Sequence, residues 1–114
     1  DVALRDVAAR TLRGAGYEVL LASDGRAALD LAREHPGPIQ LLVSDVVMPG
    51  MQGRELAVRL ATTRPGTRVL YVSGYTRPVL ASRGTLAGDH VLLTKPFTRD
   101  ELLAAVRRRL DDPD

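Results

Sequence analysis

The chain predicts an alternating α/β domain, a parallel sheet with helices on both faces. Three observations carry this. Short, nearly continuous apolar runs recur at Ile39-Gln40-Leu41-Leu42-Val43-Ser44, Arg68-Val69-Leu70-Tyr71-Val72-Ser73 and His90-Val91-Leu92-Leu93-Thr94. Strands buried on both faces read this way, whereas strands with one wet face alternate. Segments with apolar residues at helical spacing separate the runs. Finally, 114 residues suffice for one core but not two. Only 4% of residues are aromatic, so that core is aliphatic.

Each element follows from local chemistry. Ala3, Leu4, Val7, Ala8 and Leu12 predict a helix over 2–15, ended by Gly14 and Gly16. Glu18–Ala22 reads as a short strand and Asp24-Gly25 as a turn. Arg26–Glu34 is helical in period and is stopped by Pro36-Gly37-Pro38. Gln40–Ser44 reads as a buried strand. A third helix runs from about Gly53 to Arg64, where Pro65-Gly66 ends it. Arg68–Ser73 is a strand, Pro78–Arg83 a short helix and His90–Thr94 a strand. Thr98-Arg99-Asp100-Glu101 is a capping box that opens the last helix. The order is a helix, then four strands each followed by a helix. Alternating chains normally open with a strand. Either a first strand lies upstream of Asp1, or the domain lacks one.

Composition excludes several functions. The chain has no cysteine, hence no disulfide framework and no thiolate site. No apolar run approaches the roughly 18 residues of a membrane span. The net charge is only +2, and Arg107-Arg108-Arg109, the one basic cluster, has no aromatic residue for base stacking. It reads as a solvated helix end, and no nucleic-acid or membrane contact is expected. His35 and His90 are isolated, and no cluster has metal-site spacing. Gly14-x-Gly16 follows a helix and so is no dinucleotide loop.

Two residues stand apart. Asp45 ends the apolar run Ile39–Ser44 and opens a loop rich in breakers, Val46-Val47-Met48-Pro49-Gly50-Met51-Gln52-Gly53. Open α/β sheets bind ligands beyond such strand ends. Lys95 follows the last strand and precedes Pro96. It is the only lysine; the other 15 basic residues are arginine. Lysine offers a compact point charge on a flexible stem, where arginine offers a planar fork. A carboxylate and an ammonium at two strand ends are minimal equipment for handling a phosphoryl group.

These residues, with Ser73-Gly74-Tyr75 and Lys95-Pro96-Phe97, resemble the receiver domain of two-component response regulators. The match extends over nearly the whole chain. The S-G-Y form and Arg83-Gly84-Thr85-Leu86 are most similar to receivers of hybrid histidine kinases. The resemblance implies a flavodoxin-like, doubly wound sheet of order 2-1-3-4-5; that order comes from the family, not from this chain's periodicity. It implies one cytoplasmic receiver over residues 1–114, incomplete at its N-terminus. Asp45 would be the phosphoacceptor, taking a phosphoryl group from the phosphohistidine of a histidine kinase or phosphotransfer domain. The result would switch the surface of the fourth helix, last strand and last helix. Lys95 would pair with phosphoryl oxygens and Ser73 would donate its hydroxyl to one. Gly74, Tyr75 and Pro96 would neighbour the phosphate. Mg²⁺ would bind Asp45 and the backbone carbonyl of Val47. The isolated domain would be a self-phosphorylating acceptor rather than an enzyme, with a homodimer as a further partnership. The Lys95-Pro96 bond is expected to be cis. Val47 and Tyr75 flank the route of attacking water, and neither can orient it.

Two departures from the family stand out. The acidic pair that holds Mg²⁺ normally ends the first strand. Asp1 falls one residue past that pair, or becomes its second member if the alignment slides by one. Leu92 stands three residues before the lysine, where receivers usually carry the Tyr or Phe of the switch. Both departures favour an alternative function, a receiver-like interaction module that is not phosphorylated. Asp45, Ser73 and Lys95 together oppose it.

Overall fold

A computed structural model describes residues 2–47, 50–74 and 92–111. Helix α1 (Val2–Gly14) is followed by α2 (Gly25–Glu34), strand β1 (Leu41–Asp45), α3 (Gly53–Ala61), β2 (Arg68–Ser73), β3 (Leu92–Thr94) and α4 (Arg99–Asp111). The strands form one parallel sheet of order β1-β2-β3. Met48, Pro49, Tyr75, the expected helix at Pro78–Arg83 and His90 lie outside the described residues.

The central strand β2 divides the core in two. Leu70 is fully buried and packs with Leu12 of α1 and with Leu102 and Val106 of α4. Its neighbour Tyr71 points to the opposite face, as strand geometry requires. There Tyr71 meets Val46, Ala57 of α3, Val69 and Leu92. Helix α2 packs against α3 on that side. The sheet is therefore covered on both faces, as the continuous apolar strands predict.

Helix ends obey local rules. Gly16 takes φ +100°, Tyr17 N–H donates to Leu12 O at 3.1 Å and Gly16 N–H to Arg13 O at 3.0 Å. This is a complete Schellman stop, with glycine where the left-handed backbone requires it. Asp24 caps α2 by accepting from Ala27 N–H at 2.8 Å. The capping box forms as expected: Glu101 N–H donates to Thr98 Oγ1 at 3.0 Å, and Thr98 N–H to Glu101 Oε1 at 2.8 Å. Helix α3 ends at Ala61, three residues before the expected Arg64. The Thr62 hydroxyl donates to Arg59 O and that of Thr63 to Leu60 O. Such local bonds compete with continued helix.

The expected strand at Glu18–Ala22 does not form; these residues belong to no ladder. A strand exists only through a hydrogen-bonded neighbour, and among the described residues none pairs with this run. Instead Val19 packs on the Leu12–Leu70 core, its carbonyl accepting from Arg13 Nη2 at 3.0 Å. Leu20 and Leu21 stay about 40% exposed, since no sheet covers them.

Candidate functional site

The site is assembled at the C-terminal ends of the three strands. Asp45 ends β1, in register with Val72 of β2. The ladder runs one residue further, Val46 N–H donating to Val72 O at 3.0 Å. Val46 is fully buried and anchors the chain immediately after the carboxylate. Ser73 ends β2, buried, and its carbonyl accepts from Lys95 N–H at 2.7 Å. Lys95 is thereby held just beyond β3, and its peptide bond to Pro96 is cis, as expected.

From there the lysine reaches back across β2. Its Nζ lies 2.8 Å from Asp45 Oδ1. Strands are spaced about 4.8 Å apart, so two steps separate the backbones by roughly 10 Å. A long unbranched stem ending in a point charge suits that span. Both groups remain partly open, with side-chain exposures of 26% for Lys95 and 36% for Asp45. The pair is therefore not sealed in an apolar interior.

The backbone of Asp45 is clamped from behind. Ser44 is buried, and its hydroxyl donates to Asp45 O at 2.9 Å. Gly53, the first residue of α3, donates its N–H to Val46 O at 3.0 Å. A Cβ on Gly53 would run into the carbonyl oxygen of Asp45 and sit 3.0 Å from Ser44 Oγ. Glycine is required here because one backbone passes directly over another. The Ser44 contact was not visible in the sequence: an alcohol inside an apolar run carries no sign of where its proton goes.

The other expected residues occupy varied places. Gly74 follows Ser73 and is exposed, as is Pro96. Val47, two residues after Asp45, is 44% exposed. Leu92 is in register with Tyr71 and packs against Tyr71 and Val46. Leu92 therefore has an aromatic neighbour, Tyr71, on the adjacent strand. Burial pushes the Tyr71 phenol above its ordinary range, against a smaller opposing effect of the Arg54 cation.

The donor chemistry tests the expected Mg²⁺. Among the described residues no group of three or more His, Cys, Asp or Glu could hold a metal. An all-protein cage is therefore not offered by them. Asp45, the one carboxylate at these strand ends among the described residues, suits the water-rich mode in which Mg²⁺ uses one or two carboxylates plus phosphate oxygens.

Residues 1–107 match the family model for the response regulator receiver domain. The chain belongs to that family. It is similar to the sensor kinase CckA of Brucella abortus, with 35% identity over 112 residues, covering 98% of this chain and 12% of that protein. It is 30% identical over 110 residues to the response regulator receiver protein CpdR of the same organism, covering 96% and 90%. Among solved structures, the chemotaxis protein CheY4 of Vibrio cholerae superposes with a TM-score of 0.79 at 35% identity, covering 96% of this chain and 91% of that one. The receiver thus spans nearly all of some relatives and a small part of others. Its fold is the flavodoxin-like α/β fold of these neighbours.

Proposed function

We propose that this receiver is a phosphoacceptor: Asp45 takes a phosphoryl group from a phosphohistidine of a histidine kinase or phosphotransfer domain. The observation that carries this is the 2.8 Å contact between Lys95 Nζ and Asp45 Oδ1 across the central strand. A carboxylate oxygen attacks phosphorus, the bond to the donor's imidazole nitrogen breaks, and an acyl phosphate forms on Asp45. Such transfer needs alignment and charge neutralisation more than covalent help. Lys95 supplies a fixed positive charge beside the oxygen that reacts. Ser73, at the end of the intervening strand, is the hydroxyl donor to a phosphoryl oxygen. Gly74 leaves room beside it. Mg²⁺, when bound through Asp45 and the Val47 carbonyl, supplies further neutralisation of the phosphoryl oxygens. Residues 1–114 act as one domain with no turnover of their own, and the response spreads through the surface of β3 and α4.

The test is phosphorylation, with acetyl phosphate and Mg²⁺, of a version that carries the first strand ahead of Asp1, followed by intact mass. One phosphoryl group is expected on the wild type and none on Asp45→Asn. Equal labelling of the Asn variant removes Asp45 from the role. No labelling of the wild type by acetyl phosphate or by a kinase favours the non-phosphorylated interaction module.

A further inference from the structure

Ser44 interrupts the apolar run that forms β1, and it is only 5% exposed. A hydroxyl sealed in such a place must give its proton to an acceptor, or the fold loses about 1–3 kcal/mol. An aliphatic side chain would fill the position with no such requirement. The acceptor is the carbonyl of the next residue, Asp45 O, at 2.9 Å. Gly53 closes the spot from the α3 side. A Cβ there would sit 3.0 Å from Ser44 Oγ and 3.1 Å from the carbonyl carbon of Asp45.

The bond from Ser44 acts on the peptide unit that joins Asp45 to Val46. The N–H of that unit belongs to Val46 and donates to Val72 O at 3.0 Å. Its C=O accepts from Ser44. The plane is therefore held from both sides, by β2 and by the Ser44 side chain. The following carbonyl, Val46 O, is held in turn by Gly53 N–H at 3.0 Å. On the N-terminal side of Asp45, the ladder between β1 and β2 fixes the backbone. The direction of a Cβ is set by the backbone N and C atoms on either side of its Cα. With both held, the stem of the Asp45 carboxylate is aimed before any phosphodonor arrives. Lys95 Nζ, at 2.8 Å from Oδ1, meets a carboxylate on a fixed stem.

We infer that Ser44 is a positioning residue for phosphoryl transfer: its hydroxyl holds the Asp45–Val46 peptide plane and so aims the Asp45 carboxylate at phosphorus. This deepens the phosphoacceptor reading and rests on it. Ser44 touches no reacting atom. Transfer depends on alignment, and a loosened plane lowers the rate while leaving the fold in place.

Three variants of the version that carries the first strand test this, each with two readouts. Ser44→Ala removes the hydroxyl. Ser44→Cys keeps a similar shape with only a weak donor, and Ser44→Thr keeps the hydroxyl on a residue suited to strands. The first readout is the carbonyl-carbon chemical shift of Asp45 without phosphodonor. It should move in Ser44→Ala and Ser44→Cys and stay close to wild type in Ser44→Thr. The second is the rate of labelling by acetyl phosphate with Mg²⁺, well below the melting temperature. It should fall severalfold in Ser44→Ala and Ser44→Cys and recover in Ser44→Thr. A wild-type rate in Ser44→Ala overturns the inference even if its melting temperature falls, since the bond would then be only structural. So does a wild-type rate in Ser44→Cys beside a slow Ser44→Ala, because volume would then be the cause. A slow Ser44→Thr with the wild-type carbonyl shift overturns it as well, the bond being present and the rate lost. If Ser44→Thr does not fold, Ser44→Ala and Ser44→Cys decide by the same outcomes. If the wild type is never labelled, the phosphoacceptor reading falls and the positioning role with it; a labelled wild type with an equally fast Ser44→Ala rejects Ser44 alone.

Discussion

Lys95 Nζ reaches Asp45 Oδ1 at 2.8 Å from a strand two positions away, over the carbonyl end of β2. The same lysine is tied to the intervening strand by its N–H, which donates to Ser73 O at 2.7 Å. Backbone and side chain of one residue thus join all three strand ends. Lys95→Arg keeps the charge but replaces a point donor with a planar fork of different reach. Labelling of Asp45 is expected to slow by about tenfold or more, in line with the loss of an aimed electrostatic donor. Circular dichroism and melting temperature should stay close to wild type. A wild-type labelling rate would remove Lys95 from the chemistry.

Gly53→Ala should be among the most damaging single-methyl changes in the chain. The new Cβ meets backbone at Asp45, not the movable end of a side chain. Overpacking of this kind costs about 1–3 kcal/mol. Urea unfolding is expected to report a loss in that range or above. The analogous change at Gly66, where a Cβ meets nothing within 4 Å, should be far milder.

Arg64 closes the C-terminal end of α2 from 27 to 32 residues away in sequence. Helix ends leave carbonyls without partners, and a guanidinium can serve several at once. Arg64→Ala is expected to destabilise by about 2 kcal/mol, the scale of hydrogen bonds to a charged donor. Arg64→Lys should recover only part of this, since one ammonium cannot copy the fork. Denaturant midpoints at constant m-value decide it. Full recovery by lysine would mean that charge alone matters at this helix end.

Phosphorylated Asp45 is expected to be comparatively long-lived. Val47 is partly exposed beside the carboxylate and offers neither an acid nor an amide to orient water. Tyr75 belongs to the same argument through sequence alone. Water-positioning help is typically worth about 10²–10⁴-fold. Val47→Asn combined with Tyr75→Glu should therefore lose phosphate faster than wild type, by at least about tenfold. Radiolabel decay measures it, and an equal or slower rate would show that these two side chains do not govern water access.

By itself the sequence determined what depends on neighbours in the chain. The capping box at Thr98–Glu101 was legible because both hydrogen bonds close within three residues. The stop at Gly16 was legible because only glycine accepts its φ without cost. Asp45, Ser73 and Lys95 were legible as strand-end residues, because hydrophobic runs reveal where strands finish. Tertiary structure decided everything that needed a distant partner. Glu18–Ala22 has strand composition yet forms no strand, because a ladder requires a second backbone and composition cannot supply one. The 2.8 Å approach of Lys95 to Asp45 depends on β2 lying between their strands. The bond from Ser44 to the Asp45 carbonyl and the grip of Arg64 on α2 were likewise unreadable. Short-range preferences act on dihedral angles and are written in adjacent residues. Contacts across the fold are selected by packing, and packing exists only once the layers have met.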